Sequence, residues 1–352
     1  MRGFLVVVTA LGAGALACSS PSKAPSSEPT SVVPTESVGT IQANPDPLEP
    51  SPLGHAPGPS WSGGPALEVA AGSQSSCEIR ADHSIACWGD STGKFDASSC
   101  STSGECGQAH PPAGEFTAVS LGGYHGCALR LDGTLACFGA GTSDQRCVGH
   151  ECGQAQPPSG VFQQVSAGYL HSCAVAADGT LACWGAGQTN SACTIDQCGQ
   201  AAPPAGAFSK VAAGFHHSCA LALDGTVQCW GESSEAVAPA GMFNDLFGGP
   251  FGSCGLRSDD SLECWGPGGV LQLPEPPLVA FSSAAISDGW ACGIAKADGG
   301  LLCWGRNGYG NLNAPAGSFL QVALGDRHGC AVRDDDSVVC WGDNQQHESQ
   351  PP

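Results

Sequence analysis

Short apolar runs separated by polar turns recur along the chain, and each recurrence predicts three β-strands. In residues 162–185, FQQVSAGYLHSCAVAADGTLACWG, the opening run predicts one strand and the two cysteine-bearing runs predict a hairpin. A turn at 177–179 places Cys173 opposite Cys183, with Gly179 in the left-handed conformation that a three-residue loop needs. Two sulfurs that face each other across a hairpin in this way can form a disulfide.

The same pattern occurs seven times, which identifies a repeat array. Each second cysteine is followed by an aromatic residue and a glycine, and a phenylalanine lies eleven residues before the first cysteine in every unit except the first, where Ala66 stands. The sixth unit has one extra residue in KADGGLLC, for which we expect a β-bulge. The predicted disulfides of the seven hairpins are Cys77–Cys87, Cys127–Cys137, Cys173–Cys183, Cys219–Cys229, Cys254–Cys264, Cys292–Cys303 and Cys330–Cys340.

The first and last segments fall at the same point of the repeat. The last unit reaches Pro351 and Pro352, where the next strand is due, and residues 63–72 supply a strand of that kind before the first cysteine pair. We therefore expect these two segments to complete a single blade and close a ring, because an open array would instead need polar caps.

The unit AGYLHSCAVAADGTLACWG (167–185) resembles the RCC1-like repeat in its cysteine-bearing bacterial form, and the likeness covers residues from about 63 to 352. That family, which also includes a bacterial β-lactamase inhibitor protein, forms seven-bladed β-propellers. The resemblance implies an all-β, disulfide-rich, seven-bladed propeller over residues 61–352, closed by its N- and C-terminal segments. It leaves the function open, because propellers support unrelated activities.

Composition narrows the possible partners and the compartment. The chain carries 12 basic and 32 acidic side chains, a formal net charge of −20, and it has no Lys/Arg cluster. Binding to nucleic acid or to anionic lipid by charge is therefore not expected. Of the 21 cysteines, Cys18 belongs to the leader, and the other cysteines are even in number, as in a disulfide framework formed outside the cytosol.

The N-terminus predicts export. Residues 1–17 form a secretory signal, with Arg2 followed by an apolar run too short to span a bilayer. The GALAC sequence resembles the lipobox of bacterial lipoproteins and implies lipidation of Cys18, although Leu16 lies two places before the cysteine instead of three; an ordinary signal peptide cut nearby is the alternative. Residues 18–60 are rich in Ser and Pro and predict a disordered tether. We expect a protein held in the bacterial envelope by its lipid alone, at the outer membrane or cell surface.

Insertions follow the aromatic-glycine pair in units one to three, and we expect them on one sector of one face. Loops on a rigid scaffold are common binding sites, so these are the predicted recognition surface for a protein or a glycan. Each insertion has one further cysteine pair, which is too few ligands for zinc and predicts a disulfide. The extra pairs are Cys100–Cys106, Cys147–Cys152 and Cys193–Cys198. The candidate binding residues are Lys94, Phe95, Asp144, Arg146, His150, Asn190 and Asp196.

Histidine stands two residues before the first cysteine in four units, at His125, His171, His217 and His328. Equivalent positions in successive blades should lie too far apart to share one ion at ligand distances of about 2 Å. We expect each histidine to hydrogen-bond backbone within its own blade. We predict neither a metal site nor a cofactor.

The sequence contains no GxSxG, HExxH or phosphate-loop motif, so it nominates no catalytic residue. The favoured hypothesis is a surface module that binds a protein or a glycan. The alternatives are a lyase or hydrolase that uses the central cavity and a structural envelope protein. Guanine-nucleotide exchange, the activity of eukaryotic family members, conflicts with export and with the disulfides.

Overall fold

A computed structural model describes residues 66–89, 108–141, 152–188, 198–232, 237–266, 275–345 and 347–351. The predicted signal (1–17), Cys18 and the tether (18–60) lie outside these ranges. Every regular element in the described residues is a β-strand, and these ranges contain no helix of the length and apolarity needed to cross a membrane.

The described strands form seven antiparallel sheets of three consecutive strands each, numbered here as blades one to seven. The inner strands, which line a central channel, are β1 (Ala66–Ala71), β4 (Phe116–Leu121), β7 (Phe162–Ala167), β10 (Phe208–Ala213), β13 (Asp245–Gly249), β16 (Phe281–Ile286) and β19 (Phe319–Leu324). The middle strands are β2 (Ser75–Arg80), β5 (His125–Arg130), β8 (His171–Ala176), β11 (His217–Ala222), β14 (Gly252–Leu256), β17 (Trp290–Ala295) and β20 (His328–Arg333). The outer strands are β3 (Ile85–Gly89), β6 (Leu135–Gly139), β9 (Leu181–Gly185), β12 (Val227–Gly231), β15 (Leu262–Trp265), β18 (Leu301–Gly305) and β21 (Val338–Gly342).

The hairpins between middle and outer strands have the predicted register. Cys173 faces Cys183, the Ala176 N–H donates to the Thr180 carbonyl at 2.8 Å, and Gly179 has a φ of 85°. All seven predicted hairpin disulfides are present, with Cα–Cα distances of 4.0–4.1 Å. The cross-links therefore join the two outermost strands of each blade.

The bulge expected in the sixth hairpin is wrong. Cys292 faces Cys303 and Ile294 faces Leu301 without a shift in register. The extra residue lengthens the turn instead, where the Ala295 N–H donates to the Gly300 carbonyl at 2.8 Å. A longer loop accommodates the residue without breaking any ladder hydrogen bond, which a bulge would do.

The core lies between neighbouring blades. In blades two to seven a buried phenylalanine lies at or just before the start of the inner strand, and in blade three Phe162 packs with Val165 and Trp184 against Cys127 and Leu129 of blade two. The hairpin disulfides thus form part of the apolar contact between sheets. A core divided among seven such interfaces explains how a chain rich in small residues can fold.

The four histidines join adjacent blades, so the expectation that each would bond backbone within its own blade is wrong. His125 Nε2 lies 2.7 Å from Ser172 Oγ of blade three, and His171 Nε2 lies 2.8 Å from Ser218 Oγ of blade four. In blade six the same position holds Trp290, whose indole N–H donates to the Asp326 carbonyl of blade seven at 3.2 Å. The middle strands of neighbouring blades are close enough for their side chains to form hydrogen bonds. A prediction that considers one blade alone does not include these bonds.

The ring closes between blades seven and one, as predicted, but the expectation that the first and last segments complete a single blade is wrong, because β1 pairs with β2 and β19 pairs with β20. Each described sheet contains only consecutive strands, so blades seven and one share no sheet. Hydrogen bonds of side chains and backbone connect these two blades instead. His328 Nε2 lies 2.8 Å from Ser76 Oγ, the same kind of bond that joins blade two to three, three to four and four to five. The C-terminal segment contributes the carbonyl of Glu348, which accepts the Trp88 indole N–H at 2.9 Å.

Candidate functional site

The propeller has two faces that differ in their loops. On the first, which we call the hairpin face, the middle and outer strands of each blade are joined by the aspartate-containing turns. On the second, the insertion face, the inner strand turns into the middle strand and the outer strand gives way to the insertions. At this face the Ala140 N–H donates to the Tyr124 carbonyl at 2.8 Å, so the insertions begin beside the inner turns.

The predicted binding residues Lys94, Phe95, Asp144, Arg146, His150, Asn190 and Asp196 all lie outside the described residues. Of the extra cysteines, Cys152 and Cys198 are described; both are buried and disulfide-bonded. Their predicted partners Cys147 and Cys193 lie outside the described residues, as does the pair Cys100–Cys106. In the second and third insertions, the described part therefore begins at a buried, disulfide-bonded cysteine, Cys152 or Cys198, which we call the base of the insertion.

Four aromatic side chains form a row on the insertion face at the mouth of the channel. Tyr169 and Phe215 stack with ring centroids 3.8 Å apart, and Phe251 lies parallel to Phe215 at 5.3 Å. Tyr124 extends the row with its ring edge 5.1 Å from Tyr169, and their hydroxyl oxygens are 2.8 Å apart. All four are half-buried. This aromatic row crosses blades two to five.

The aromatic row rests on the base of the second insertion. Cys152, Leu170 and Ala186 form a buried cluster against which Tyr124 and Tyr169 pack. The aromatic row is not among the predicted binding residues, although the sequence carries a signal for it: an aromatic residue follows the inner strand in units two to five and is absent there in the others. These residues come from four separate blades, so only the arrangement of the blades in the propeller brings them together.

The opposite side of the mouth is polar. Asp288 Oδ1 lies 3.8 Å from Arg306 Nη1, and the Arg327 guanidinium lies 4.5 Å from the Tyr309 ring centroid. Desolvation raises the pKa of Asp326, while a hydrogen bond from Ser73 opposes that shift. Aromatic and charged groups thus occupy different sectors of one rim.

The central channel has a volume of about 520 Å³ and is lined mainly by small and apolar residues of the inner strands. Glu68 is an exception, because burial raises its pKa to about 7 against a weaker opposing effect of the hydrogen bond from Val119. Its Oε1 accepts the Val119 N–H at 3.2 Å. Lys210 also faces the channel and forms an ion pair with Asp245 at 2.5 Å. Both charged side chains therefore contact the next blade as well as the channel.

One group of potential metal ligands occurs in the described residues, at Cys198, His216 and Glu232, with ligand atoms within 4.8 Å of one another. His216 Nδ1 lies 3.3 Å from Glu232 Oε2. Zinc binds the thiolate form of cysteine. Because Cys198 is disulfide-bonded, its sulfur is not a thiolate in this state.

Comparison with known proteins agrees with this architecture. The model of the regulator of chromosome condensation (RCC1) repeat matches residues 116–145, 162–190, 208–235 and 319–348. The chain is similar to the CRINKLY WD40 ectodomain of the Arabidopsis thaliana receptor kinase ACR4, with 23% identity, a TM-score of 0.59, and coverage of 79% of this chain and 96% of that one.

Two further solved structures share the fold. Human WBSCR16 is 17% identical, with a TM-score of 0.57 and coverage of 76% of this chain and 86% of that one. A chain in a complex containing yeast RCC1 is 18% identical, with a TM-score of 0.50 and coverage of 66% and 71%. At these identities the likeness shows the fold alone. With the repeat matches added to its seven three-stranded blades, the chain is an RCC1-like repeat β-propeller.

Proposed function

We propose that this protein is a binding module, exported and lipid-anchored at Cys18, that captures a protein or a glycan on its insertion face. The aromatic row is the observation that carries the proposal. The seven hairpin disulfides support export, since such bonds persist in non-reducing compartments.

The aromatic row has the properties of a recognition surface. Aromatic side chains contribute most at binding interfaces, because they bury a large rigid area and lose little conformational freedom. Here Tyr169 and Phe215 already hold each other in place by stacking. Less ordering is then required on binding, which raises affinity.

The insertions complete the proposed site. Their described bases, at Cys152 and Cys198, are buried and cross-linked on the same face as the row. The predicted binding residues Arg146 and Asn190 belong to these insertions in sequence. A rigid aromatic centre on the face that carries the insertions suits selective capture.

The test uses the full chain, purified without reductant, against a glycan array and a panel of bacterial surface proteins. In the variant Tyr169→Ala/Phe215→Ala we expect affinity for the captured ligand to fall about tenfold or more. The matched control is Leu302→Ala, an exposed apolar residue on β18 that lies outside the row. Equal affinity in both variants would show that the row is not the site. The variant Asp144→Ala/Arg146→Ala separately tests the second insertion and retains Cys147, the predicted partner of Cys152.

A second candidate function is catalysis in the channel, and Glu68 favours it. A carboxyl group with a pKa of about 7 can donate or accept a proton near neutral pH, as a lyase or hydrolase requires. Screening the full chain against polysaccharide and ester substrates tests this. Activity that disappears in Glu68→Gln supports it, and activity that persists there excludes Glu68 as the acid.

A further inference from the structure

The hairpin face carries most of the exposed large apolar side chains of the described residues. They stand near the start of the inner strands or at the first position of the hairpin turns, and they come from all seven blades, with Leu320 in blade seven. Representative members are Leu67, Leu131, Val161, Leu223, Met242 and Leu278. Their exposed fractions run from 51% for Leu131 to 104% for Leu278. Exposed apolar side chains gathered on one face commonly mark an interaction site.

Neighbouring blades bring exposed apolar side chains to the same turn in two places. Val161 of blade three lies over the turn of blade two, where a Cβ placed on Gly133 would come within 2.6 Å of Val161 Cγ1. Leu131 belongs to that same turn. Met242 of blade five lies beside Gly225 in the turn that contains Leu223. Apolar side chains of two blades therefore flank one turn in each case.

A carboxylate accompanies these apolar residues in every hairpin turn. Asp132 follows Leu131 directly, and its Oδ1 accepts the Thr134 N–H at 2.9 Å and the Thr134 hydroxyl at 2.7 Å. These hydrogen bonds lower the pKa of Asp132, the hydroxyl having the larger effect. Equivalent carboxylates occur at Asp82, Asp178, Asp224, Asp259, Asp298 and Asp335.

A groove on this face combines both features. It lies between the turn of blade five and the segment leading into blade six, with a volume of about 580 Å³. Leu278 and Val279 line it together with Leu262, and Asp259 and Glu275 supply its carboxyl groups. The groove could take an apolar side chain flanked by cationic ones.

The charge of this face decides between possible occupants. Five cations also stand at this face, Arg80, Arg130, Arg257, Lys296 and Arg333. The acidic side chains outnumber them, since Asp260, Glu275, Asp334 and Asp336 add to the seven turn aspartates. A second copy placed face to face would therefore bring two acidic surfaces together, and an anionic bilayer would be repelled as well. We propose that the hairpin face is a second docking surface, separate from the insertion face, for a cationic amphipathic polypeptide segment. Its apolar side chains cover the Leu and Val residues, while its Lys or Arg side chains pair with the turn aspartates.

The test measures binding of the full chain to an amphipathic peptide of leucine and lysine, about 14 residues long. The control peptides replace lysine with glutamate or leucine with serine. We expect the Leu/Lys peptide to bind about tenfold or more tightly than either control, with an affinity that falls as salt is added. Equal binding of all three peptides would overturn the proposal.

Matched variants locate the site. Leu131→Ser/Leu223→Ser should weaken the Leu/Lys peptide about tenfold, whereas Leu302→Ser/Tyr309→Ser, which removes exposed apolar groups elsewhere, should not. In Asp132→Asn/Asp224→Asn the amide oxygen can still accept the hydrogen bonds within the turn, but the negative charge is lost. The affinity of this variant for the Leu/Lys peptide should therefore depend less on salt concentration. If both apolar variants weaken peptide binding equally, the proposal is contradicted. It is also contradicted if the protein forms dimers at high concentration and Leu131→Ser/Leu223→Ser prevents them. Tyr169→Ala/Phe215→Ala should leave peptide binding intact; loss there would place the peptide on the insertion face and overturn this second surface.

Discussion

Gln321 of blade seven holds Val69 of blade one with both ends of its side-chain amide. Its Oε1 accepts the Val69 N–H at 2.7 Å, and its Nε2 donates to the Val69 carbonyl at 3.1 Å. Gln164 makes the same pair of bonds to blade four, both at 2.8 Å. Glu68 stands at the equivalent position of blade one and accepts the Val119 N–H. An ionised carboxylate cannot donate the second bond, so this blade interface is weaker above neutral pH.

Replacing Glu68 with Gln should stabilise the protein at pH 8 and have little effect at pH 4. The folded pKa of Glu68 is about 7, above its ordinary value of 4.5. The unfolded carboxyl therefore ionises first, and the stability present below pH 4.5 is lost as pH rises through 7, by at most about 3 kcal/mol. Urea unfolding of both proteins across this range measures the difference. A Glu68→Gln effect that does not grow with pH would contradict the assignment.

Asp336→Gly should stabilise blade seven by up to about 1 kcal/mol. Asp336 has a φ of 64° at the turn position where Gly179 and Gly225 stand in other blades. A left-handed backbone is strained for a residue with a Cβ, and glycine removes that strain. The reverse change, Gly225→Ala, should lower the melting temperature. If both substitutions shift it in the same direction, backbone strain is not the cause.

The double variant Ala66→Phe/Glu78→Ala should be more stable than either single variant. In blade one the usual phenylalanine is Ala66, and a buried Glu78 stands where blades five and six have a glycine that packs against the phenyl ring. The Glu78 carboxylate pairs with Arg80 at 2.9 Å, and desolvation raises its pKa. A phenyl ring introduced by Ala66→Phe alone would clash with Glu78, and Glu78→Ala alone would leave a cavity. A double-mutant cycle by chemical denaturation gives the coupling, and additive effects would show that the two positions are independent.

His171→Gln should make stability less dependent on pH between about 3 and 6.5. Burial, the largest cause, lowers the pKa of His171 to about 3 and that of His328 to about 4, from an ordinary value of 6.5. The unfolded imidazole takes up a proton first, so stability present above pH 6.5 is lost as pH falls toward the folded pKa. Glutamine can still donate to Ser218. Acid titration of unfolding compares the two proteins, and identical pH slopes would contradict the burial of a neutral imidazole.

The repeat allowed much of the fold to be predicted from local spacing. The cysteine interval, with a glycine such as Gly179 at the turn, determines the hairpin register, because both partners lie within a few residues of each other. The extra residue near Gly300 lies in the turn and not in the predicted bulge. A longer turn and a bulge each add one residue between the two cysteines, so the sequence alone does not distinguish them. Spacing within one unit does not report how His125 meets Ser172 of the next blade.

The candidate site was harder to predict for the same reason. Tyr169 and Phe215 lie far apart in sequence, and their stacking depends on how two blades sit side by side. The exposed apolar residues of the hairpin face, such as Leu131 and Leu223, look in sequence like ordinary strand-end residues. Only their common exposure on one face distinguishes them.

Mass spectrometry of peptides from the non-reduced protein shows directly whether each hairpin is cross-linked to itself. We expect a disulfide within each blade, from Cys77–Cys87 through Cys330–Cys340, and no free thiol at these positions. Free thiols there, or disulfides that join cysteines of different blades, would contradict a ring of seven hairpins each cross-linked to itself.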